Sequence, residues 1–361
     1  MKTRKSIFFA VDTFHGGAGN IIQILSNHYS NYGFKIYIYL NGYHRHLDLN
    51  YRYDDENVTV IKKRFRGLRT IVNEIFFLKK TIKRLSPDLI LSFLSTVNPQ
   101  VCFSQIFTKI PVIVCERSNP FFDLPLRYKI IRNISYLRAN LITVQFQAFE
   151  NFISLFRKKI VTIPNIVQSS PSKKIHNKRT ETISFITCAQ LYSVKRIDLM
   201  IKLFKQINKL RPKTILKIYG VGKDQEILKN LTKSLTISDV VKFEGYSLEM
   251  HKNFSESDIF LLTSEREGFP NALCEAMSCG IPSVMFAIHD GLKEIIKDGI
   301  TGFLIKEGNH DKFIEKAVEL VDNQKKRKDF GINSIKHMMN YNKVDIIKIW
   351  DSYVMELLNK F

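Results

Sequence analysis

The chain is expected to fold as an α/β protein of two domains, each built around a parallel sheet. Three observations predict this. Its 361 residues are long for a single core. Short apolar runs alternate with helical stretches throughout, the pattern of βα units whose strands are covered on both faces. A polar segment poor in core formers, Gln168-Ser169-Ser170-Pro171-Ser172-Lys173-Lys174, separates two such series and reads as a linker. The expected domains are residues 1–168 and 175–342, with residues 343–361 following the second.

The strands follow from runs rich in β-branched and aromatic residues. In the first series they are Ser6–Val11, Phe34–Leu40, Val58–Ile61, Leu89–Phe93, Val112–Cys115, Leu141–Val144 and Ile160–Ile163. In the second they are Ile183–Cys188, Ile215–Tyr219, Val240–Phe243, Ile259–Thr263, Pro282–Phe286 and Gly302–Ile305. Helices are expected between them, among others over Gly17–Tyr32, Val72–Leu85, Ile197–Lys209 and Asp311–Asn323. The last segment, Val344–Leu358, is amphipathic, with Ile346, Ile347, Trp350, Val354 and Leu357 on or near one face.

A hydrophobic content of 45% with 12% aromatic residues excludes a disordered chain. No apolar run approaches the ~18 residues of a membrane-spanning helix. The apolar run Ile7–Val11 is too short for an export signal and ends at Asp12, so a first buried strand and a cytoplasmic location are expected. Five cysteines, Cys102, Cys115, Cys188, Cys274 and Cys279, show no CxxC and no metal-ligand spacing, and read as reduced core thiols; no metal site is expected. The net charge of +21 calls for an anionic partner or surface. Residues 1–170 hold 24 Lys/Arg against 10 Asp/Glu, so most of the excess lies in the first half, in clusters such as Lys62-Lys63-Arg64, Lys79-Lys80 with Lys83-Arg84, and Arg157-Lys158-Lys159. Nucleic acid and an anionic lipid leaflet both fit that charge, as does a merely solvated face. No recognised nucleic-acid-binding module is present, so no nucleic-acid partner is expected.

The most informative stretch is Glu265-Arg266-Glu267-Gly268-Phe269-Pro270-Asn271-Ala272-Leu273-Cys274-Glu275, ending at Gly280. Ile259–Thr263 before it reads as a buried strand, Pro270 suits the first turn of a helix and Gly280 its stop. Glu267 then lies beside the helix start and Glu275 about two turns in. A helix start offers unpaired N–H groups and a partial positive charge to an anion such as phosphate. Two carboxylates flanking such a site need neutral, hydroxylated groups to hold, and a sugar nucleotide has hydroxyls on either side of a diphosphate.

The spacing Glu267-x7-Glu275 with Gly268-Phe269-Pro270-Asn271 resembles the signature of family-4 retaining glycosyltransferases of the GT-B fold, and the likeness touches nearly the whole chain. The resemblance implies two Rossmann-like domains facing across a cleft, with the terminal helix 343–361 packing back on the first. It implies that Glu267 faces the transferred hexose and Glu275 the ribose. Gly268, Phe269, Pro270, Asn271 and Leu273 would lie along the donor.

Gln190-Leu191-Tyr192-Ser193-Val194-Lys195-Arg196 is similar to the family's Arg-Leu-x-x-x-Lys element, whose cations bind the donor diphosphate. Lys195 matches; Gln190 stands where the family has Arg, and one charge-assisted phosphate contact of about 1.5–3 kcal/mol is missing or supplied elsewhere, Arg196 being adjacent. Gly16-Gly17-Ala18-Gly19 between the first strand and helix resembles the family's donor-facing glycine loop, and His15 beside it reads as a surface histidine or a proton shuttle. Gly220, Gly245 and Tyr246 end strands as in the family's base-binding edge. Glu116-Arg117-Ser118-Asn119-Pro120 follows a strand end, where residues face a ligand crevice. It resembles an element of relatives that build exopolysaccharide and lipid-linked oligosaccharides. Arg117 is then a catalytic or acceptor-side cation beside Glu116 and Asn119, or half of a structural ion pair.

The expected function is a metal-independent, cofactor-free retaining hexosyltransferase. It would move a hexose or N-acetylhexosamine from a nucleotide sugar, UDP-linked by expectation, to a lipid-linked saccharide in bacterial surface polysaccharide synthesis. Lys195 and Glu267 are its expected catalytic residues, at the inner face of the cell membrane. The alternatives are a non-catalytic nucleotide-sugar-binding protein and a sugar-nucleotide epimerase of the same architecture.

Overall fold

The computed structural model describes residues 4–12, 14, 16–41, 55–63, 70–121, 125–152, 159–170, 172–174 and 181–361. His15, Arg64, Arg157, Lys158 and Pro171 lie outside them. The chain forms two compact units, one from Met1–Ile166 with Val344–Phe361, the other Val167–Lys343.

The first unit holds a seven-stranded sheet: β1 (Ser6–Val11), β2 (Lys35–Leu40), β3 (Val58–Lys62), β4 (Leu89–Phe93), β5 (Val112–Cys115), β6 (Leu141–Val144) and β7 (Ile160–Thr162), in the order β3-β2-β1-β4-β5-β6-β7. Every pairing is parallel, with Phe8 opposite Tyr37 and Ile90. β1, β4, β5 and β6 are buried from end to end because helices cover both faces, which is why they read as unbroken apolar runs. The terminal helix Lys343–Lys360 completes one face. Its Trp350 is fully buried among Phe9, Phe93 and Ile113, its Asp351 accepts from His28 at 2.9 Å, and Lys5 Nζ donates to the Leu358 carbonyl at 2.8 Å.

The second unit holds β8 (Ile183–Cys188), β9 (Thr214–Tyr219), β10 (Val241–Gly245), β11 (Ile259–Leu262), β12 (Ser283–Ala287) and β13 (Gly302–Lys306), in the order β10-β9-β8-β11-β12-β13, all parallel. Both sheets reverse direction of growth beside their first strand, between β1 and β4 and between β8 and β11. At such a switch point the loops leaving the strand ends part and open a crevice. Residues 168–174, read from sequence as a linker, are attached to the second unit where described: the Lys174 N–H donates to the Cys279 carbonyl at 2.8 Å and Lys173 Nζ to that of Ser278 at 2.7 Å.

Candidate active site

Two loops leave the second sheet at its switch point, after β8 and after β11. The first forms a single turn, Ser193–Lys195, and Arg196 in the left-handed conformation (φ 49°) starts the helix Ile197–Leu210. The second loop fixes it there: Glu265 N–H donates to the Val194 carbonyl at 2.9 Å and Thr263 Oγ1 to that of Arg196 at 2.9 Å. Lys195 is thereby held over the β11 loop, where its Nζ meets Glu267 Oε1 at 2.7 Å. Lys195 is 24% exposed and Glu267 10%, so the pair is largely shielded from solvent.

Pro270 stands one residue before the helix Asn271–Cys279, at the cap and not inside the first turn as expected. The Asn271 N–H is already given to the Phe269 carbonyl at 2.9 Å, so the first-turn groups left without an intrahelical acceptor fall at Ala272 and Leu273. Gly280 ends the helix at φ 86°, as its sequence position predicts. The Phe269 and Leu273 side chains are buried, Phe269 edge-on to Tyr341.

Glu275 is the fifth helical residue, little more than one turn in. Burial pushes its carboxyl up to about 7, with no cation or donor offsetting the shift. Cys188 at the end of β8 lies within its field, and burial raises that thiol to about 12, opposed in part by Lys195. A half-buried carboxylate that lacks compensation is poised to accept hydrogen bonds from hydroxyl groups.

Glycines bring the neighbouring strand ends close. A Cβ on Gly220 (φ 125°) would lie 1.9 Å from the Ala189 carbonyl oxygen, and one on Gly222 2.3 Å from that of Leu191. Gly220 donates to the Gly245 carbonyl at 2.7 Å and Leu191 to Val221 at 3.0 Å. Gln190 and Tyr246 are exposed beside them. The guanidinium of Arg196, next to Lys195, is partly exposed and lies 3.6 Å from Asp198.

One residue of this site has no motif to announce it. His289 follows β12; burial pulls its imidazole down to about 4, opposed in part by the Glu267 backbone, so it is neutral at physiological pH. Its position just past a strand end on the same sheet edge is the signal that could have found it.

In the first unit Gly16 (φ 79°) and Gly17 begin the helix Gly16–Asn31. The close approach there belongs to Gly19, whose Cβ would meet the Phe14 carbonyl at 1.8 Å; nothing lies within 4 Å of one on Gly16. Arg117 departs from its expected role. It is buried, donating to the Ile163 carbonyl at 2.8 Å and Thr143 Oγ1 at 3.1 Å, with its guanidinium 5.4 Å from the Trp350 ring centre and 5.8 Å from that of Phe93. Burial lowers its pKa. Glu116 takes separate partners, accepting from Tyr136 at 2.7 Å and Ser118 at 3.1 Å, and burial raises its carboxyl pKa. Asn119 accepts from the Phe121 N–H at 3.0 Å and shapes its own turn. These residues hold the strand ends together. Among the described residues no group of three or more His, Cys, Asp or Glu is arranged to hold a metal, and all five cysteines are free.

Two parallel-sheet units of this topology define a GT-B fold. Anabaena HepE in complex with UDP and glucose superposes on 99% of this chain over 100% of its own, with a TM-score of 0.79 at 16% identity. Residues 168–337, which carry Lys195, Glu267 and Glu275, match the family model of Glycosyl transferases group 1. An uncharacterized glycosyltransferase of Haemophilus influenzae is 32% identical over 164 residues, 45% of this chain and 46% of that protein. An alpha-1,4-N-acetyl-D-galactosaminyltransferase of Campylobacter jejuni, named for a PP-undecaprenol-linked GalNAc saccharide, is 25% identical over 275 residues, 73% of this chain and 76% of that protein. The chain spans less than half the length of several curated relatives that it matches.

Proposed function

We propose that the protein is a glycosyltransferase that moves a hexose or N-acetylhexosamine from a UDP-linked donor to a saccharide acceptor, with retention and without a metal. The observation that carries this reading is the triad of Lys195, Glu267 and Glu275 around one helix start at the switch point of the second sheet. In this reading the diphosphate lies over the N–H groups of Ala272 and Leu273 with Lys195 beside it. Glu275 accepts the ribose hydroxyls and Glu267 faces the hexose. The UDP and glucose bound by HepE support the donor class.

Breaking the anomeric C–O bond leaves negative charge on the diphosphate, which Lys195 and the helix start offset. The new bond forms from the acceptor oxygen to the same face of the anomeric carbon, and the acceptor proton passes to the departing phosphate oxygen. Glu267 is engaged by Lys195 at 2.7 Å, which favours an orienting carboxylate over a covalent nucleophile. The PP-undecaprenol saccharide named for the Campylobacter relative supports a lipid-linked acceptor. The basic first half of the chain fits an anionic membrane surface. Among the described residues no helix is long and apolar enough to cross a membrane, so attachment is peripheral in this reading.

The test is incubation with a panel of nucleotide sugars, with and without undecaprenyl-diphosphate saccharides, followed by mass spectrometry. A product heavier by one sugar, made only with acceptor present, is the expected result. Donor bound without turnover would identify a sensor, and free epimerised donor an epimerase.

A further inference from the structure

The helix Leu126–Tyr136 in the first unit is inside out. Its inward face is polar: Arg132 donates to the Pro120 carbonyl at 3.1 Å, Ser135 is buried, and Tyr136 donates to Glu116 at 2.7 Å. Its outward face carries Leu126, Ile130, Ile134 and Leu137 at helical spacing, with Ile131 beside them, all exposed, Leu126 by 72%. Isolated exposed aliphatics need no explanation, but a stripe of five along one helix does.

The stripe continues onto its neighbours. Helix Leu126–Tyr136 packs beside Asn98–Ser104, which packs beside Thr70–Leu85. Arg138, just past the first helix, clamps the turn after the second by donating to the carbonyls of Gln105 at 2.7 Å and Thr108 at 3.0 Å. That turn thrusts out Phe107, 90% exposed, and the third helix adds Ile71, Val72 and Phe76. The same helices and the turn carry the exposed cations Lys79, Lys80, Lys83, Arg84, Lys109 and Arg127. Lys79 Nζ lies 5.9 Å from the centre of the Phe107 ring. The only carboxylate within the three helices is Glu74, which is buried.

We propose that this face docks on the surface of an anionic lipid bilayer, inserting Leu126, Ile130, Ile134, Leu137 and Phe107 into the headgroup boundary while the lysines and arginines meet lipid phosphates. Apolar side chains interleaved with cations and free of exposed acid match that boundary, where each needs the other's surroundings. The inference rests on the proposed membrane-bound acceptor for its purpose, but its test involves no sugar and no transfer, so either can fail without the other.

The test is co-sedimentation of the full chain with vesicles of phosphatidylcholine alone or mixed with phosphatidylglycerol, over a range of salt. The wild type should bind only the anionic vesicles and weaken as salt rises. Ile130→Ser with Ile134→Ser should reduce partitioning at every salt by at least about tenfold. Lys79→Gln with Lys80→Gln should flatten the salt dependence. All these side chains are exposed, so the folding transition, followed through Trp350, should not move. Wild-type indifference to anionic vesicles, or serine variants that bind as wild type, would overturn the proposal. So would light scattering that shows a dimer dissolved by the serine substitutions, since a second copy of the chain would then cover the stripe.

Discussion

Lys195 and Glu267 lie 72 residues apart in the chain and meet at 2.7 Å across two loops that leave adjacent strands of one sheet. The contact exists because β8 and β11 are neighbours at the switch point, and because the Val194 and Arg196 carbonyls accept from the β11 loop. It joins a cation suited to a leaving diphosphate to the carboxylate nearest the expected sugar.

Replacing that cation should therefore act on chemistry more than on binding. Lys195→Ala is expected to lower turnover by about 10²–10³-fold. The Michaelis constant for the donor should change less. Steady-state kinetics separate the two, and a purely KM effect would remove Lys195 from the catalytic step.

Glu275→Gln should do the reverse, weakening donor affinity by about tenfold or more through loss of a charged acceptor for hydroxyl groups. The raised carboxyl makes a second expectation. The folded state holds the Glu275 proton up to about pH 7, whereas the unfolded chain releases it near 4.5. Native protein therefore binds more protons between those values, and stability falls as pH rises through that window. Glu275→Gln should gain on the order of 2 kcal/mol above pH 7 and nothing below pH 4.5. Denaturant melts at pH 4.5 and 8 measure this. Calorimetric titration with UDP should show wild-type affinity rising with pH near 7 and the variant flat.

Arg117→Ala should unfold the first unit and not merely disarm a site. It would strand the Ile163 carbonyl and Thr143 Oγ1 and leave a gap under Trp350, costing about 3 kcal/mol or more. Trp350 is the sole tryptophan, so its fluorescence reports this directly. Lost activity with an unchanged melt would restore Arg117 to the chemistry.

Two glycines separate steric need from conformational preference. Gly220→Ala would drive a methyl to 1.9 Å from the Ala189 carbonyl oxygen and displace the Gln190 loop, so donor binding should be lost with several kcal/mol of stability. Gly245→Ala has φ 71° but nothing within 4 Å of the new Cβ and should cost only about 1 kcal/mol. Equal effects would mean that the strand ends are not as tightly knit as described.

The fold was legible in the sequence because parallel strands covered on both faces become unbroken apolar runs: Ser6–Val11, Leu89–Phe93 and Ile183–Cys188 are the same residues read either way. The Glu267 and Glu275 positions were legible through a strand, a proline and a glycine that are local signals. What the sequence does not hold is who meets whom. Arg117 at a strand end has the look of a ligand contact. A tryptophan from the terminal helix and oxygens from β6 and beyond β7 absorb it instead. Arg196 starts its helix through a left-handed backbone that no local residue type announces. The inside-out helix Leu126–Tyr136 stayed illegible because its apolar periodicity marks the face that packing leaves outside.

In the proposed reading one helix start in the second unit holds a nucleotide sugar between two carboxylates, and a crystal structure of the protein with UDP is the decisive measurement. Ribose hydroxyls are expected within hydrogen-bonding distance of the Glu275 carboxylate, and the diphosphate over the N–H groups of Ala272 and Leu273, beside Lys195. Density for UDP elsewhere in the molecule, or a nucleotide whose ribose lies away from Glu275, would contradict it.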